Sequence, residues 1–157
     1  VSESPWRKVR EFHEVFGLSH PDRPTPLTAE LAEARQRILD EEVREVAEAT
    51  RGGNLGEIAH ELADVVYAAY GTAISYGIDL DAIITEIHRA NMTKLDRRGR
   101  PIERDGKVQK SDLYKPPDVA AVLQRQAVLL GEQNSQPCAR QSSNSSSESS
   151  KHDESRL

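Results

Sequence analysis

The chain has 157 residues, long enough for one domain with a core of its own. A formal net charge of -5 argues against binding to nucleic-acid polymers, and abundant Ala, Glu and Leu with few aromatics point to a helical protein. No apolar run is long enough to span a bilayer, the first residues are polar and lack a signal-peptide core, and the single cysteine, Cys138, permits neither an internal disulfide nor a structural zinc site. A cytoplasmic protein with no membrane partner is the expectation.

The first helix is expected over Ser4 to Phe16, with Ser4 as cap and Pro5 in the first helical position. Val9, Phe12 and Phe16 give it an apolar edge, and Gly17 ends it. The segment HPDRPTP holds three prolines and reads as a loop. A second helix starts near Thr28 and runs to about Thr50, where Arg51, Gly52 and Gly53 stop it. Asn54 with Glu57 resembles a capping box for a third helix, which reaches about Tyr76 before Gly77 closes it. Asp79 or Asp81 caps a fourth, running to about Leu95. Short connections make these helices antiparallel neighbours.

The texture then changes. Lys94 to Lys115 carries eight Lys or Arg against four Asp or Glu. The turn signal Arg104-Asp105-Gly106 leaves room for a small hairpin between Pro101–Glu103 and Lys107–Gln109. Pro116, Pro117 and Asp118 open a last helix through about Leu130. Residues 1–131 are therefore read as one all-α domain, an antiparallel helical bundle with a possible small hairpin after the fourth helix. Residues 132–157, rich in serine, have too little apolar surface to offset ordering entropy and are expected to be disordered. The third helix is apolar over much of its girth, through Ile58, Leu62, Val65, Val66, Ala69 and Ile74. A monomer would leave part of that surface wet, so the bundle is expected to be completed by homodimerisation.

The strongest chemical signal lies in the second and third helices. At 100° per residue, Leu31, Ala34, Ile38, Glu42 and Glu45 share one side of the second helix, the side expected to face the core. Glu61 and Asp64 flank the apolar stripe of the third. Carboxylates normally stay on a helix's polar face. At this spacing they repel by about 0.2–0.5 kcal/mol per exposed pair, and more when desolvated. Hard oxygen donors at such density suit Mg²⁺. Solvated, Glu-rich helix faces are the plainer reading, and spacing alone leaves both open.

A di-iron bundle needs a Glu-x-x-His step on two helices. Glu57 and His60 form one, but the second and fourth helices offer no partner step, so a redox centre is disfavoured. On the fourth helix His88, Asn91 and Lys94 fall at steps of three. Asn91 and Lys94 could reach an anion held at the carboxylates, or simply form a polar helix end. Lys107, Lys110 and Lys115 have the same two readings: balance for a polyphosphate, or a solvated loop. There is no Walker or GxGxxG loop, so phosphates would be held by metal and side chains.

EEVRE at 41–45 followed by ELAD at 61–64 resembles the EExxE…ExxD signature of the MazG-type all-α nucleoside triphosphate pyrophosphohydrolases. The flanks EFHEVFG at 11–17, HRANMTKL at 88–95, DGKVQK at 105–110 and PPD at 116–118 are similar to a phosphoribosyl-ATP-pyrophosphohydrolase-like subgroup with dUTP-hydrolysing (dUTPase-like) members. The resemblance spans roughly residues 9–125. It implies a homodimeric helical bundle and a nucleotide substrate. It also implies Mg²⁺-dependent hydrolysis to monophosphate and pyrophosphate, with Mn²⁺ as a possible substitute metal. On that resemblance Glu42, Glu45, Glu61 and Asp64 are metal ligands, and Glu41 or Glu42 is the catalytic carboxylate. Asn91 and Lys94 contact substrate, and Lys107, Lys110 and Tyr114 lie near the phosphates. Phe12 and Phe16 border the base or pack in the core. The alternatives are a phosphoribosyl-ATP pyrophosphohydrolase and a helical interaction module without chemistry.

Overall fold

The computed structural model describes residues 3–133, so the serine-rich stretch read as disordered lies, from residue 134 on, outside the described residues. Five helices appear: α1 (Pro5–Val15), α2 (Ala29–Gly52), α3 (Leu55–Ser75), α4 (Leu80–Met92) and α5 (Val119–Gln133). Two short strands, β1 (Glu103–Arg104) and β2 (Lys107–Val108), lie between α4 and α5. α3 is the hub, packing against α2, α1 and α4, while α5 packs on α4. Among the described residues no helix is long and apolar enough to cross a membrane.

Each helix begins where a short polar side chain satisfies its free N–H groups. Ser4 Oγ accepts from the Arg7 N–H at 3.3 Å, with Pro5 behind it. Thr28 Oγ1 accepts from the Leu31 N–H at 3.3 Å. Asn54 Oδ1 accepts from the Gly56 and Glu57 N–H groups at 2.8 and 3.4 Å, and its amide donates back to Glu57 at 3.3 Å. Asp79 accepts from the Ala82 N–H at 3.2 Å, so it rather than Asp81 is the cap of α4. Gly77 does more than end α3. Its φ of +70° is left-handed, and a Cβ there would overlap the Arg23 carbonyl of the proline-rich loop. That loop is pinned alongside by the Thr25 N–H donating to Tyr76 O at 2.8 Å.

The core is slim. Val9 of α1 packs with Tyr70 and Ile74 of α3, with Trp6 and Leu80 against them. Full burial of an aliphatic side chain such as Ile74 stabilises by about 1.5–3 kcal/mol. Polar ties do the rest at the rim. The Trp6 indole N–H donates to Ile78 O at 3.2 Å, and the Tyr70 hydroxyl to Asp81 at 2.8 Å. Gln126 of α5 brackets Asp79, donating to its carbonyl at 3.0 Å and accepting from its N–H at 3.2 Å. Leu62 and Val66 of α3 are each 51 % exposed, so the wet apolar surface expected of a single copy is present.

α4 ends at Met92, short of the expected Leu95, and Lys94 therefore sits beyond the helix. The Thr93 hydroxyl turns back to Ala90 O at 2.7 Å and receives the Lys115 N–H at 2.8 Å, while Ser111 Oγ donates to Leu95 O at 2.7 Å. These bonds draw both ends of the basic segment together. Between them β1 and β2 pair antiparallel, Glu103 opposite Val108 and Arg104 opposite Lys107. Asp105 and Gly106 both take positive φ, as a two-residue turn between twisted strands requires. The hairpin is present, two residues per strand. α5 starts at an Asp118 cap and extends past the expected Leu130 to Gln133.

Candidate metal centre and adjoining recess

α2 and α3 lie side by side, and their facing stripes carry the acidic set. Glu42, Glu45 and Glu61 each offer a carboxylate oxygen, all within 4.8 Å of one another, and all three are half-buried. Partial loss of water raises the pKa of Glu42, with the charges of Glu45, Asp64, Glu41 and Glu61 acting in the same direction. Glu45 is raised by the same desolvation and by the charges of Glu61 and Glu41, with the Arg44 charge acting in the opposite direction. The donor set is all oxygen, anionic and mutually repelling, which fits a hard divalent cation.

Asp64 stands one helical step from Glu61 and close enough to act on Glu42, but outside the tight triad. Its Oδ2 lies 3.1 Å from His60 Nε2, so His60, otherwise exposed, touches a candidate ligand instead of making a di-iron step. Glu57 is occupied with the Asn54 cap. Glu41 is exposed beside the triad. The remaining sequence candidates lie elsewhere in this copy. α4, which carries Asn91, packs on α3 but not on α2, and the hairpin, which carries Lys107, packs on neither; Lys94, Lys110 and Tyr114 lie in the segments flanking the hairpin. Lys110 instead places its ammonium 4.7 Å from the centre of the Tyr114 ring.

Next to the triad a recess of about 290 Å³ opens between α1, α2 and α3. Glu42 and Asp64 form one end. Phe12, Leu18, Ile38 and Tyr67 provide apolar walls, and Arg35, His13 and Gly71 complete it. Phe12 stacks on Phe16 at 4.4 Å between ring centres and meets Tyr67 edge-on at 5.8 Å. Thus Phe12 faces the recess, while Phe16 is 65 % exposed and lies against the Phe12 ring. Sequence reasoning passed over Arg35, His13, Tyr67 and Gly71. The available signal was Arg35 itself, a cation seven residues before Glu42 and so on the same helix face.

Comparison with known proteins places these elements. Residues 9–91 match the model of the family described as phosphoribosyl-ATP pyrophosphohydrolase, a stretch that holds the recess and every candidate carboxylate. An uncharacterized protein of Acanthamoeba polyphaga mimivirus is 30% identical over 105 residues, covering 61% of this chain, and the chain spans 38% of that relative's length. The crystal structure of a candidate NTP pyrophosphohydrolase from Exiguobacterium sp. 255-15 aligns over 86% of this chain and all of that one. Its identity is 20% and its TM-score 0.39, a distant likeness.

Proposed function

The chain belongs to the phosphoribosyl-ATP pyrophosphohydrolase family, and from that premise we propose that it hydrolyses a nucleoside triphosphate to the monophosphate and pyrophosphate, with Mg²⁺. The observation that carries the reading is the triad of Glu42, Glu45 and Glu61, three converging carboxylates whose mutual repulsion outweighs the charge of neighbouring Arg44. Glu42, Glu45, Glu61 and Asp64 would hold the metal. Bound there, Mg²⁺ supplies charge neutralisation for the phosphates and a lowered pKa for water. Mn²⁺, of similar hardness, would substitute.

The protein's own part is positioning and proton transfer. Glu41 or Glu42 accepts the proton of the attacking water as its oxygen bonds to phosphorus, and the bridging P–O bond breaks to free pyrophosphate. The recess beside the carboxylates gives the rest of the nucleotide a place out of bulk water. Removal of unwanted nucleotides from the precursor pool is the role that fits such a reaction.

The Arg44 charge acts on Glu45, but a leaving pyrophosphate needs further cations. We propose that a homodimer brings Asn91, Lys94, Lys107, Lys110 and Tyr114 of one copy towards the carboxylates of the other. The wet face of α3 supports this.

The test is a panel of ribo- and deoxyribonucleoside triphosphates, together with phosphoribosyl-ATP, incubated with Mg²⁺ and separated by chromatography. Pyrophosphate and monophosphate in equal amounts are expected. Turnover of phosphoribosyl-ATP alone would assign the histidine-pathway reaction instead. Inertness towards every compound would leave a helical interaction module.

A further inference from the structure

Two polar groups of the recess, Arg35 and His13, have no part in the hydrolysis proposed above. Arg35 stands about 10 Å along α2 from Glu42, two turns away. Its Nε donates to Thr72 Oγ1 at 3.3 Å and its Nη2 to Ala68 O at 3.2 Å. Among the described residues its Nη1 has no partner and no carboxylate pairs with it, although burial depresses its pKa. His13 is 2 % exposed. Its Nδ1 lies 2.8 Å from Ser19 O, an acceptor, so the ring proton is on Nδ1 and Nε2 is left as an acceptor. Desolvation lowers the His13 pKa and keeps the ring neutral. The two groups meet over Gly71: a Cβ there would lie 3.2 Å from His13 Nε2 and would overlap Arg35 Nη2. Guanidinium donors and an imidazole acceptor thus stand side by side, at the end of an apolar recess whose other end is acidic.

We propose that this recess binds the nucleobase of the substrate and that Arg35 and His13 read its lactam edge, a carbonyl oxygen beside a ring N–H. Uracil, thymine, hypoxanthine and guanine carry that edge. Adenine and cytosine reverse it, turning an amino donor towards the guanidinium and a lone pair towards His13 Nε2. A buried site built to hydrogen-bond one pattern discriminates strongly against its reverse. A phosphate fits less well, since it offers no N–H to His13 and gains nothing from Phe12, Leu18, Ile38 and Tyr67. Gly71 is the specificity-determining position, because only a missing side chain leaves room for the guanidinium. The inference rests on the reading of the chain as a nucleotide hydrolase.

Inosine and adenosine compounds differ only in that edge, as do those of uridine and cytidine. With Mg²⁺, KM is expected to be lower for ITP than for ATP, and for UTP than for CTP, by about tenfold or more. The preference should vanish in Gly71→Ala and in Arg35→Gln, with kcat changed less than KM, and Arg35→Lys should not restore it because the planar fork is lost. Gly71→Ala displaces the far end of the flexible Arg35 side chain, crowds His13 Nε2 at 3.2 Å and places a better helix former inside α3, and circular dichroism checks that the fold is kept. Calorimetry with IMP and AMP, metal-free, reads the same preference without turnover. Wild-type preference for ATP over ITP, or a preference that survives both variants, overturns the proposal. So does an equal loss of magnesium tripolyphosphate binding in Gly71→Ala, since that probe has no base. If no triphosphate is hydrolysed but IMP still outbinds AMP in wild type alone, the hydrolase reading fails and the base site stands.

Discussion

Glu45 and Glu61 face each other across the α2–α3 seam, with carboxylate oxygens within 4.8 Å, and the Glu61 charge raises the pKa of a Glu45 already raised by desolvation. Without a metal the seam therefore suffers repulsion. Glu45→Gln is expected to raise the melting temperature of the metal-free protein, since an amide donates where the carboxylate repels. In the same variant, Mg²⁺ should no longer raise the melting temperature, and turnover should fall at least about a hundredfold. Differential scanning calorimetry with and without Mg²⁺, alongside the activity assay, checks all three. Asp64→Asn should lose activity likewise. Near-wild-type rates in both variants would remove these residues from the metal site.

Glu86 links α4 to the start of α5. Its carboxylate takes two hydrogen bonds from Arg89, both 2.8 Å, and one from the Asp118 N–H at 2.7 Å. The Arg89 bonds first, then the Asp118 N–H, hold its pKa down to about 2 against an ordinary 4.5. A depressed acid stabilises the fold fully above its unfolded value and ceases to do so as pH falls through its folded value. Thermal melts between pH 5 and 2 should show wild type losing stability faster than Glu86→Gln, with the two curves converging towards pH 2. Parallel curves would remove Glu86 from the acid response.

Tyr70 is 5 % exposed and gives its hydroxyl proton to Asp81 at 2.8 Å; burial first, then that bond, push its pKa up to about 12. Tyr70→Phe keeps the ring in the core and strips the tie between α3 and α4. A loss of about 1–2 kcal/mol is expected in urea unfolding, with KM and kcat unchanged. A neutral result would mean that Asp81 finds solvent at no cost.

The caps and stops of the helices were legible in the chain. Ser4, Thr28, Asn54 and Asp79 act locally, through N–H groups two or three residues away, so local reading finds them. The glycines at 17, 53 and 77 close helices for the same local reason. The acidic seam was legible because its spacing put carboxylates on an apolar stripe. The end of α4 was not, since Thr93 is turned by Lys115, 22 residues on. Nor was the recess. Arg35, His13 and Gly71 come from three helices, and each alone is unremarked: an arginine on a charged helix, a histidine between phenylalanines, a glycine among alanines. Their meaning arises only where the helices touch.

A single copy leaves Leu62 and Val66 of α3 half in water and keeps the basic hairpin away from the acidic seam. Burial of such surface yields about 25 cal/mol per Å² of apolar area, and a two-fold axis would bury it on both copies. Light scattering at micromolar concentration should return twice the chain mass, and Val66→Glu should yield single chains with greatly reduced turnover. A fully active species of one chain's mass would refute a shared site.

Trp6 is the chain's one tryptophan, and it sits where α1 meets the α3–α4 turn, its indole N–H on Ile78 O and the Arg10 guanidinium 5.4 Å from its ring centre. The bundle thus carries its own fluorophore, with no competing emitter of that kind. Phe12 and His13 ride on the same helix, two turns away, so any ligand that levers α1 on entering the recess must disturb the indole's hydrogen bond and its cation. The emission wavelength of the unlabelled protein becomes an optical gauge of whether that wall is closed, readable by stopped flow on the timescale of ligand entry.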